Sequence, residues 1–134
     1  MSQSPAPLRG CAISVQQQVQ SLASLEERWL VGKGEAYPPE SLQWAETLIV
    51  GILAAFELPT PYIYPTPEGA FRLEWPCASH EVLAVLDPHT HGADLLSVPL
   101  AKDEQTEAHF DLSASGQEIA FGKWLAVHLA EAHP

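Results

Sequence analysis

Apolar residues near the start of the chain recur every three or four positions, which is the period of one helix face. The pattern predicts a first helix from about Ile13 to Trp29, ended by Gly32 and Gly34, because glycine readily adopts the backbone that stops a helix. The stripe consists of Val15, Val19, Leu22, Leu25 and Trp29.

A second helix is predicted from about Glu40 to Phe56. Pro38 and Pro39 precede it, and proline suits the first helical turn, where its missing N–H has no intrahelical partner. Its apolar stripe is broad, as expected of a helix that packs on both a sheet and another helix. The stripe consists of Leu42, Ala45, Leu48, Ile49, Ile52, Leu53 and Phe56.

The middle of the chain changes to the period of two that is typical of strands. Between Ala70 and Trp75 apolar side chains alternate with Arg72 and Glu74, which predicts a half-buried strand. The next strand, Glu81–Leu86, is apolar on both faces after its first residue, so it should lie centrally. The other predicted strands are a proline-bounded edge strand at Tyr62–Tyr64, then Asp94–Leu100 and Thr106–Leu112, the last with Ala108, Phe110 and Leu112 facing inwards.

A third helix is predicted from about Gly116 to Ala132, and Ser115 and Glu118 have the spacing of a capping box at its start. The short connections between strands indicate an antiparallel meander. The chain is therefore predicted to be an α+β domain over residues 11–134. It has two N-terminal helices, a meander of four to five strands and one C-terminal helix, with the helices on one face of the sheet. Residues 1–10 are predicted to be a flexible N-terminus.

Composition changes this picture mainly through charge. The 134 residues are 46% apolar, as in globular domains, but 17 Asp and Glu against 6 Lys and Arg give a net charge of −11. Nucleic acids and anionic membrane surfaces are bound through Lys and Arg, so neither is expected as a direct partner. A basic protein partner is favoured because opposite charges speed encounter; solubility alone is the alternative explanation of the charge.

We expect a cytoplasmic protein. The first residues lack the basic and apolar segments of a signal peptide, and the apolar run Leu48–Phe56 is too short to span a bilayer. Cys11 and Cys77 are therefore expected to be free thiols in a reducing compartment.

The turn that follows the central strand is the strongest candidate for chemistry. His89 and His91 alternate with Asp87. The two imidazoles could bind zinc if the turn pointed both rings the same way, and Asp87 could be a third ligand. Asp-Pro at its start and Gly92 at its end are also typical of a plain hairpin turn, which is the interpretation we favour.

Other groups of residues give little support for catalysis. Cys77 and His80 lie three residues apart in one turn, whereas a nucleophile and its base usually meet through the fold. Glu68 and Glu74, with Asp87, are interpreted as solvated acids. We therefore predict no catalytic residue, no metal ligand and no cofactor.

Aromatic residues divide into core and surface candidates. Trp75 and Trp124 fall on core faces, whereas Trp44 lies off the main stripe of the second helix. With Tyr37 it is a candidate anchor for a partner, and packing beneath the loop from Val31 to Pro38 is the alternative. The candidate partner-binding residues are Tyr37, Trp44, Asp103, Glu104, Glu107 and Asp111.

The stretch from Pro61 to Trp75 is the most distinctive in the chain. It contains a proline-rich strand, the turn Pro-Thr-Pro-Glu-Gly and a second strand that closes on Glu-Trp. It resembles a hairpin motif of small bacterial proteins, some of which look like partners of toxins or parts of defence loci. Trp29–Gly34 and the helix from Glu40 fit the same pattern. The resemblance implies this fold and a bacterial or phage source, and it brings no catalytic residues.

Three hypotheses of different classes follow. The first is a non-enzymatic acidic protein-binding domain, either an antitoxin-like neutraliser or an accessory subunit of a bacterial or phage defence-related complex. The second is a nucleic-acid mimic that inhibits a DNA- or RNA-binding protein, which requires regularly spaced acids on one face. The third is a metal-assisted enzyme that uses Asp87, His89 and His91. We favour the first, because acidity, small size and the lack of catalytic motifs all agree with it.

The metal hypothesis makes a measurable claim. If the turn bound zinc, purified protein would retain metal near stoichiometry, and His89→Ala combined with His91→Ala would abolish it, because two ligands would be lost. We expect no retained metal when the protein is assayed by mass spectrometry of its elements. A stoichiometric content that the double variant loses would contradict this expectation.

Overall fold

Five antiparallel strands form a meander, and the helices pack against one of its faces. The computed structural model describes residues 14–76, 80–99 and 105–132. The strands follow chain order across the sheet, which confirms the predicted α+β fold with an antiparallel meander. They span Tyr62–Pro65 (β1), Phe71–Pro76 (β2), His80–Asp87 (β3), Gly92–Pro99 (β4) and Thr106–Asp111 (β5).

Alternation in β2 places its apolar residues on the face that meets the helices. Phe71, Leu73 and Trp75 are buried, and the residues between them are more exposed. The indole N–H of Trp75 donates to the carbonyl oxygen of Pro59 at 2.7 Å, so its polar atom is satisfied inside the core. β3 pairs with β2 on one side and β4 on the other, which confirms its predicted central position.

The long helix α2 spans Pro39–Phe56 and lies over the sheet. Pro39 is its first residue and Pro38 its cap, as the two prolines predict. Glu57, with a φ of 53°, ends the helix in the left-handed region, and its N–H donates to the carbonyl oxygen of Leu53. The buried residues match the predicted stripe except for the half-buried Phe56, and they are Leu42, Ala45, Leu48, Ile49, Ile52 and Leu53.

The first helix, α1, is shorter than its apolar stripe predicts. The chain is helical over residues 14–21 and continues as a 3₁₀ turn over Leu22–Ser24. Leu25 is already extended, with a ψ of 127°, so the predicted continuation to Trp29 is wrong. Val15 and Val19 are fully buried, which shows that the first two turns of the stripe pack as predicted.

A hairpin after residue 25 explains the early end of α1. The N–H of Arg28 donates to Gly34 at 2.7 Å, and the indole N–H of Trp29 donates to the carbonyl oxygen of Glu35 at 3.0 Å. A Cβ on Gly34 would lie 2.6 Å from the Trp29 indole, and its φ is 109°, so only glycine fits there. Trp29 is thus half-buried by a hairpin, and helical spacing alone does not distinguish the two arrangements.

The last helix, α3, spans Gln117–Ala132. It begins one residue later than predicted, because Gly116, with a φ of 79°, occupies the cap and its carbonyl accepts the N–H of Ala120. The predicted capping box with Ser115 at the cap is therefore wrong. Phe121 and Leu125 are buried, whereas Trp124 is half-buried and stacks on His128 with ring centroids 3.8 Å apart.

One apolar core joins the helices to the inner face of the sheet. Residues of α2, α3 and β2 meet in it, among them Ile52, Leu73 and Phe121. Residues 1–10, predicted to be a flexible N-terminus, lie outside the described residues, and so do Cys11 and Cys77.

We predict that Trp75→Ala lowers the free energy of unfolding by about 3–5 kcal/mol, because a buried indole is truncated and the Pro59 carbonyl loses its donor. Urea unfolding followed by circular dichroism measures the change. Trp124→Ala serves as the comparison and should cost less, because Trp124 is only half-buried. A Trp75→Ala protein as stable as the wild type would show that the inner face of β2 is misplaced.

Candidate functional site

Tyr37, predicted as a surface anchor, lies in the core. Its side chain is 6% exposed and its ring centroid is 5.0 Å from that of Phe71. The hydroxyl donates to the carbonyl oxygen of Ala70 at 2.5 Å and accepts the N–H of Thr66 at 3.0 Å. Tyr37 therefore ties the β1–β2 turn to the start of α2 and is not available to a partner.

Burial raises the pKa of the Tyr37 hydroxyl above its ordinary value. The carboxylates of Glu35 and Glu68 act in the same direction, because they disfavour a negative charge on the phenol. The hydrogen bonds with Thr66 oppose the shift without cancelling it. The neutral phenol is therefore the form that the folded state favours.

Trp44 remains at the surface, but it packs differently from either sequence interpretation. It is half-buried and stacks on His91, with ring centroids 4.9 Å apart and ring planes 11° apart. His91 lies in the β3–β4 turn and has a φ of 60°. The stack therefore joins α2 to the end of the sheet, and Trp44 presents only part of its surface to solvent.

The predicted acidic residues lie on or near the last strand. Glu107 and Asp111 are exposed on β5, on the face of the sheet away from the helices, whereas Asp103 and Glu104 lie outside the described residues. Hydrogen bonds from the hydroxyl and the N–H of Ser113, at 2.6 and 3.0 Å, lower the pKa of Asp111, and His109 and His91 act in the same direction. Asp111 therefore keeps its negative charge to a lower pH than an ordinary aspartate does.

The β3–β4 turn points its three candidate metal ligands in different directions. The carboxylate of Asp87 accepts the N–H of His89 at 2.8 Å, and the His89 ring lies 3.4 Å from a carboxylate oxygen of Glu35. His91 stacks on Trp44 instead. Among the residues that the structure describes, no group of three His, Cys, Asp or Glu could hold a metal ion. The side chains therefore form a hairpin turn and do not support a zinc site.

The face of the sheet opposite the helices, which we call the open face, carries the more distinctive surface. Because successive residues of a strand point to opposite faces, the residues that alternate with the core all lie there. In the described part of the chain the helices pack on the other face, so none of them covers it. The open face is formed by Tyr62 and Tyr64 of β1, Arg72 and Glu74 of β2, Glu81, Leu83, Val85 and Asp87 of β3, Asp94, Leu96 and Val98 of β4, and Glu107, His109 and Asp111 of β5.

An apolar strip crosses the centre of the open face. It consists of Leu83 and Val85 on β3 and Leu96 and Val98 on β4, and all four side chains are half-buried. Leu83 and Leu96 are direct cross-strand partners. Exposed antiparallel faces usually alternate to polar residues, so an apolar strip at the centre of one is unusual.

Polar and aromatic residues border the strip. Tyr62 and Tyr64 on the edge strand β1 are 57% and 44% exposed. The guanidinium of Arg72 pairs with Glu74 at 2.6 Å. On the other side His109 and Asp94 meet at 2.6 Å, and both side chains are mostly exposed, so the pair contributes little to stability.

Two shallow hollows lie on this face. One, of about 410 Å³, is lined by strip residues such as Leu83 and Leu96 together with Glu107. The other, of about 450 Å³, reaches from Arg72 to the β1–β2 turn at Glu68. An apolar floor with charged borders is suited to binding another macromolecule through side chains that fill such hollows.

Comparison with known proteins finds no match: no protein-family model, no curated protein and no solved structure is significantly similar to this chain. Within the described residues, none of the helices has the length and apolar character needed to cross a bilayer.

The sequence contains a signal for the open face, but its meaning depends on the fold. Apolar residues on both faces of Glu81–Leu86 predict the central position of β3, and the same feature produces the strip. Alternation does not reveal whether a helix covers the second face. The assembly of β3 and β4 side by side is what turns isolated apolar residues into one surface.

We predict that Tyr37→Phe lowers the free energy of unfolding by about 1–2 kcal/mol at neutral pH, because the Ala70 carbonyl and the Thr66 N–H each lose a hydrogen bond to the Tyr37 hydroxyl and keep only the 3.2 Å bond between themselves. The pKa of Tyr37 is raised, so its contribution is complete below its ordinary value of 10.0 and is lost as the pH rises through the folded-state value. Urea titrations between neutral and strongly alkaline pH should therefore show the difference between wild type and variant shrinking above that point. Tyr64→Phe, at an exposed position, is the control and should change nothing. A difference between wild type and Tyr37→Phe that is independent of pH would contradict the assignment.

Proposed function

We propose that this chain is a non-enzymatic acidic protein-binding domain that docks a basic protein partner on its open face. The observation that carries the proposal is the apolar strip, which lies at the centre of a sheet face that no described helix covers. Exposed apolar patches with polar borders mark interaction sites more often than the rest of a protein surface.

Burial of the strip would supply binding free energy. Apolar surface removed from water contributes roughly 25 cal/mol per Å², so covering the four half-buried side chains and the two tyrosines supplies an interface core. The strip lies on paired central strands, which hold it in one arrangement before binding. A preformed surface loses little conformational entropy on association.

The charge of the open face supports a basic partner. Arg72 is the only lysine or arginine within the five strands as described, and it is already paired with Glu74. Asp94 and Glu107 are exposed beside the strip. A basic surface complements this border, whereas a second copy of the chain would bring like charges together. A basic partner is therefore preferred to self-association through this face.

An antitoxin-like neutraliser, or an accessory subunit of a bacterial or phage defence-related complex, is the role that we propose for this interaction. It rests on the resemblance of the Pro61–Trp75 hairpin and on the net charge of −11. A nucleic-acid mimic is less well supported, because Leu83, Val85 and Leu96 interrupt the acids on the open face. Such a mimic needs an unbroken array of carboxylates in place of phosphates.

The proposal predicts that Val85→Thr combined with Leu96→Gln weakens binding by about tenfold or more, because the apolar centre of the interface is lost. The partner is first captured from the source organism and identified by mass spectrometry, and surface plasmon resonance then measures its affinity. Ile119→Gln, at an exposed apolar position of α3, is the matched control and should bind as the wild type does. Unchanged thermal unfolding of each variant shows that the fold is intact.

A charge-reversal variant tests the electrostatic part of the same proposal by itself. Glu107→Lys combined with Asp111→Lys should slow association and flatten its dependence on salt, because long-range attraction is screened over about 8 Å at physiological ionic strength. Dissociation should change less, because short-range contacts set the off-rate. An acidic partner, or an on-rate that is indifferent to salt, would contradict the role of charge. Competition by duplex DNA or RNA for the same partner would favour the nucleic-acid mimic instead.

A further inference from the structure

A rigid hairpin projects from the molecule between the 3₁₀ turn and α2. Leu30 and Lys33 exchange two backbone hydrogen bonds, at 2.6 and 2.9 Å, which close a two-residue turn at Val31 and Gly32. Below the turn, the N–H of Arg28 donates to Gly34 at 2.7 Å. These bonds hold the tip of the hairpin in one conformation.

The base of the hairpin is anchored to the sheet. The carboxylate of Glu27 accepts the N–H of Ala36, and the indole of Trp29 donates to the carbonyl of Glu35. The N–H of Glu35 in turn donates to the carbonyl oxygen of Pro67, in the β1–β2 turn, at 3.0 Å. The tip is therefore presented from a fixed base.

The residue at the tip has an unfavourable backbone for its type. Val31 has a φ of 45° and Gly32 a φ of 87°, so both central residues are in the region that a type I′ turn requires. Asn, Asp and Gly are preferred there, whereas a β-branched residue such as valine is a genuine outlier with positive φ. Val31 therefore strains the turn that it closes.

Folding does not compensate for this strain. Val31 is 97% exposed and the neighbouring Leu30 is 43% exposed, so burial within the described part of the chain stabilises neither side chain fully. We call these two residues the knuckle. Strained residues with no stabilising role in the folded state are typical of binding sites.

Two cationic side chains border the knuckle. Arg28 and Lys33 are exposed, and neither makes an ion pair within the residues that the structure describes. The acids of the hairpin lie nearer its base, where Glu27 accepts the N–H of Ala36 and Glu35 lies 3.4 Å from His89. An apolar tip bordered by cations is complementary to an apolar pocket with carboxylates at its rim. An anionic membrane surface is a poorer match, because the net charge of −11 repels it.

We infer that the knuckle is an interaction site that inserts Leu30 and Val31 into an apolar pocket of a partner protein, with Arg28 and Lys33 contacting carboxylates at the rim. This site lies outside the open face and does not depend on it. Because the hairpin is preformed, the contact needs no ordering of the loop on binding.

Site-specific photo-crosslinking identifies the protein that meets the knuckle. The crosslinking residue p-benzoylphenylalanine replaces Val31 in the full chain, expressed in its source organism. The same residue in place of Val127, an exposed valine of α3, is the control. We expect one protein to be crosslinked from position 31 and not from position 127. Crosslinks from position 31 to another copy of this chain, to lipid or to nothing would each overturn the inference.

The partner protein that the crosslink identifies is then purified and used as the probe of affinity. The stability of each variant is measured beside it. Val31→Asn should raise the midpoint of urea unfolding, because asparagine tolerates positive φ, and should weaken binding of the probe by about tenfold or more. Val31→Ile keeps both the strain and the apolar tip, so it should leave midpoint and affinity close to those of the wild type. Arg28→Gln combined with Lys33→Gln should weaken binding and reduce its salt dependence.

Each departure from this pattern is decisive. A Val31→Asn chain that binds the probe as tightly as the wild type overturns the inference, and so does one whose unfolding midpoint does not rise. The open-face variant Val85→Thr with Leu96→Gln, measured against the same probe, keeps the two surfaces distinct. Loss of binding in that variant alone assigns the probe to the open face and overturns the role of the knuckle.

Discussion

Burial of one face of the sheet beneath the helices is the constraint on which the rest of the structure depends. Phe71, Leu73 and Trp75 alternate along β2 so that every second side chain enters the core, and the same period in β3 and β4 extends that core sideways. A shift of register by one residue would exchange the core face for the open face, so the helices and the strands specify each other. Prolines at the start of α2 and in the β1–β2 segment then set where the chain turns between these layers.

The same strands link the fold to the proposed function. β3 needs apolar residues on its inner face to pack against α2 and α3. Leu83 and Val85 lie on its outer face, where no helix of the described part of the chain packs. A domain of this size keeps an apolar outer strip at some risk of aggregation, which the surrounding carboxylates reduce through charge repulsion between copies. Under the proposed function, one surface would provide both apolar attraction toward a partner and electrostatic repulsion from its own copies.

The hairpin after α1 combines a tightly held base with a strained, exposed tip. Trp29, Gly34 and Glu35 tie its base tightly, whereas Val31 at its tip adopts a backbone that valine disfavours. Asn or Gly at this position would relieve that strain, so the valine does not serve the stability of the domain.

Much of the fold follows from local patterns. The periods of three to four and of two located α2, α3 and all five strands to within a few residues, and the two-sided apolar character of Glu81–Leu86 identified the central strand. The exposed positions of Glu107 and Asp111 also followed from alternation. The prediction failed where one spacing of apolar residues fits two different structures. Trp29 continues the helical stripe of α1, yet it belongs to a hairpin closed by Gly34.

The sequence by itself determined α2, α3, the five strands and the acidity of the chain, because backbone period and charge are properties of neighbouring residues. Only the tertiary structure decided that Tyr37 is buried, that Trp44 stacks on His91 and that one face of the sheet lies open. These features depend on contacts between residues far apart in the chain, such as that of Tyr37 with Ala70. No local pattern records such a contact, because it exists only when packing of the core brings distant segments together.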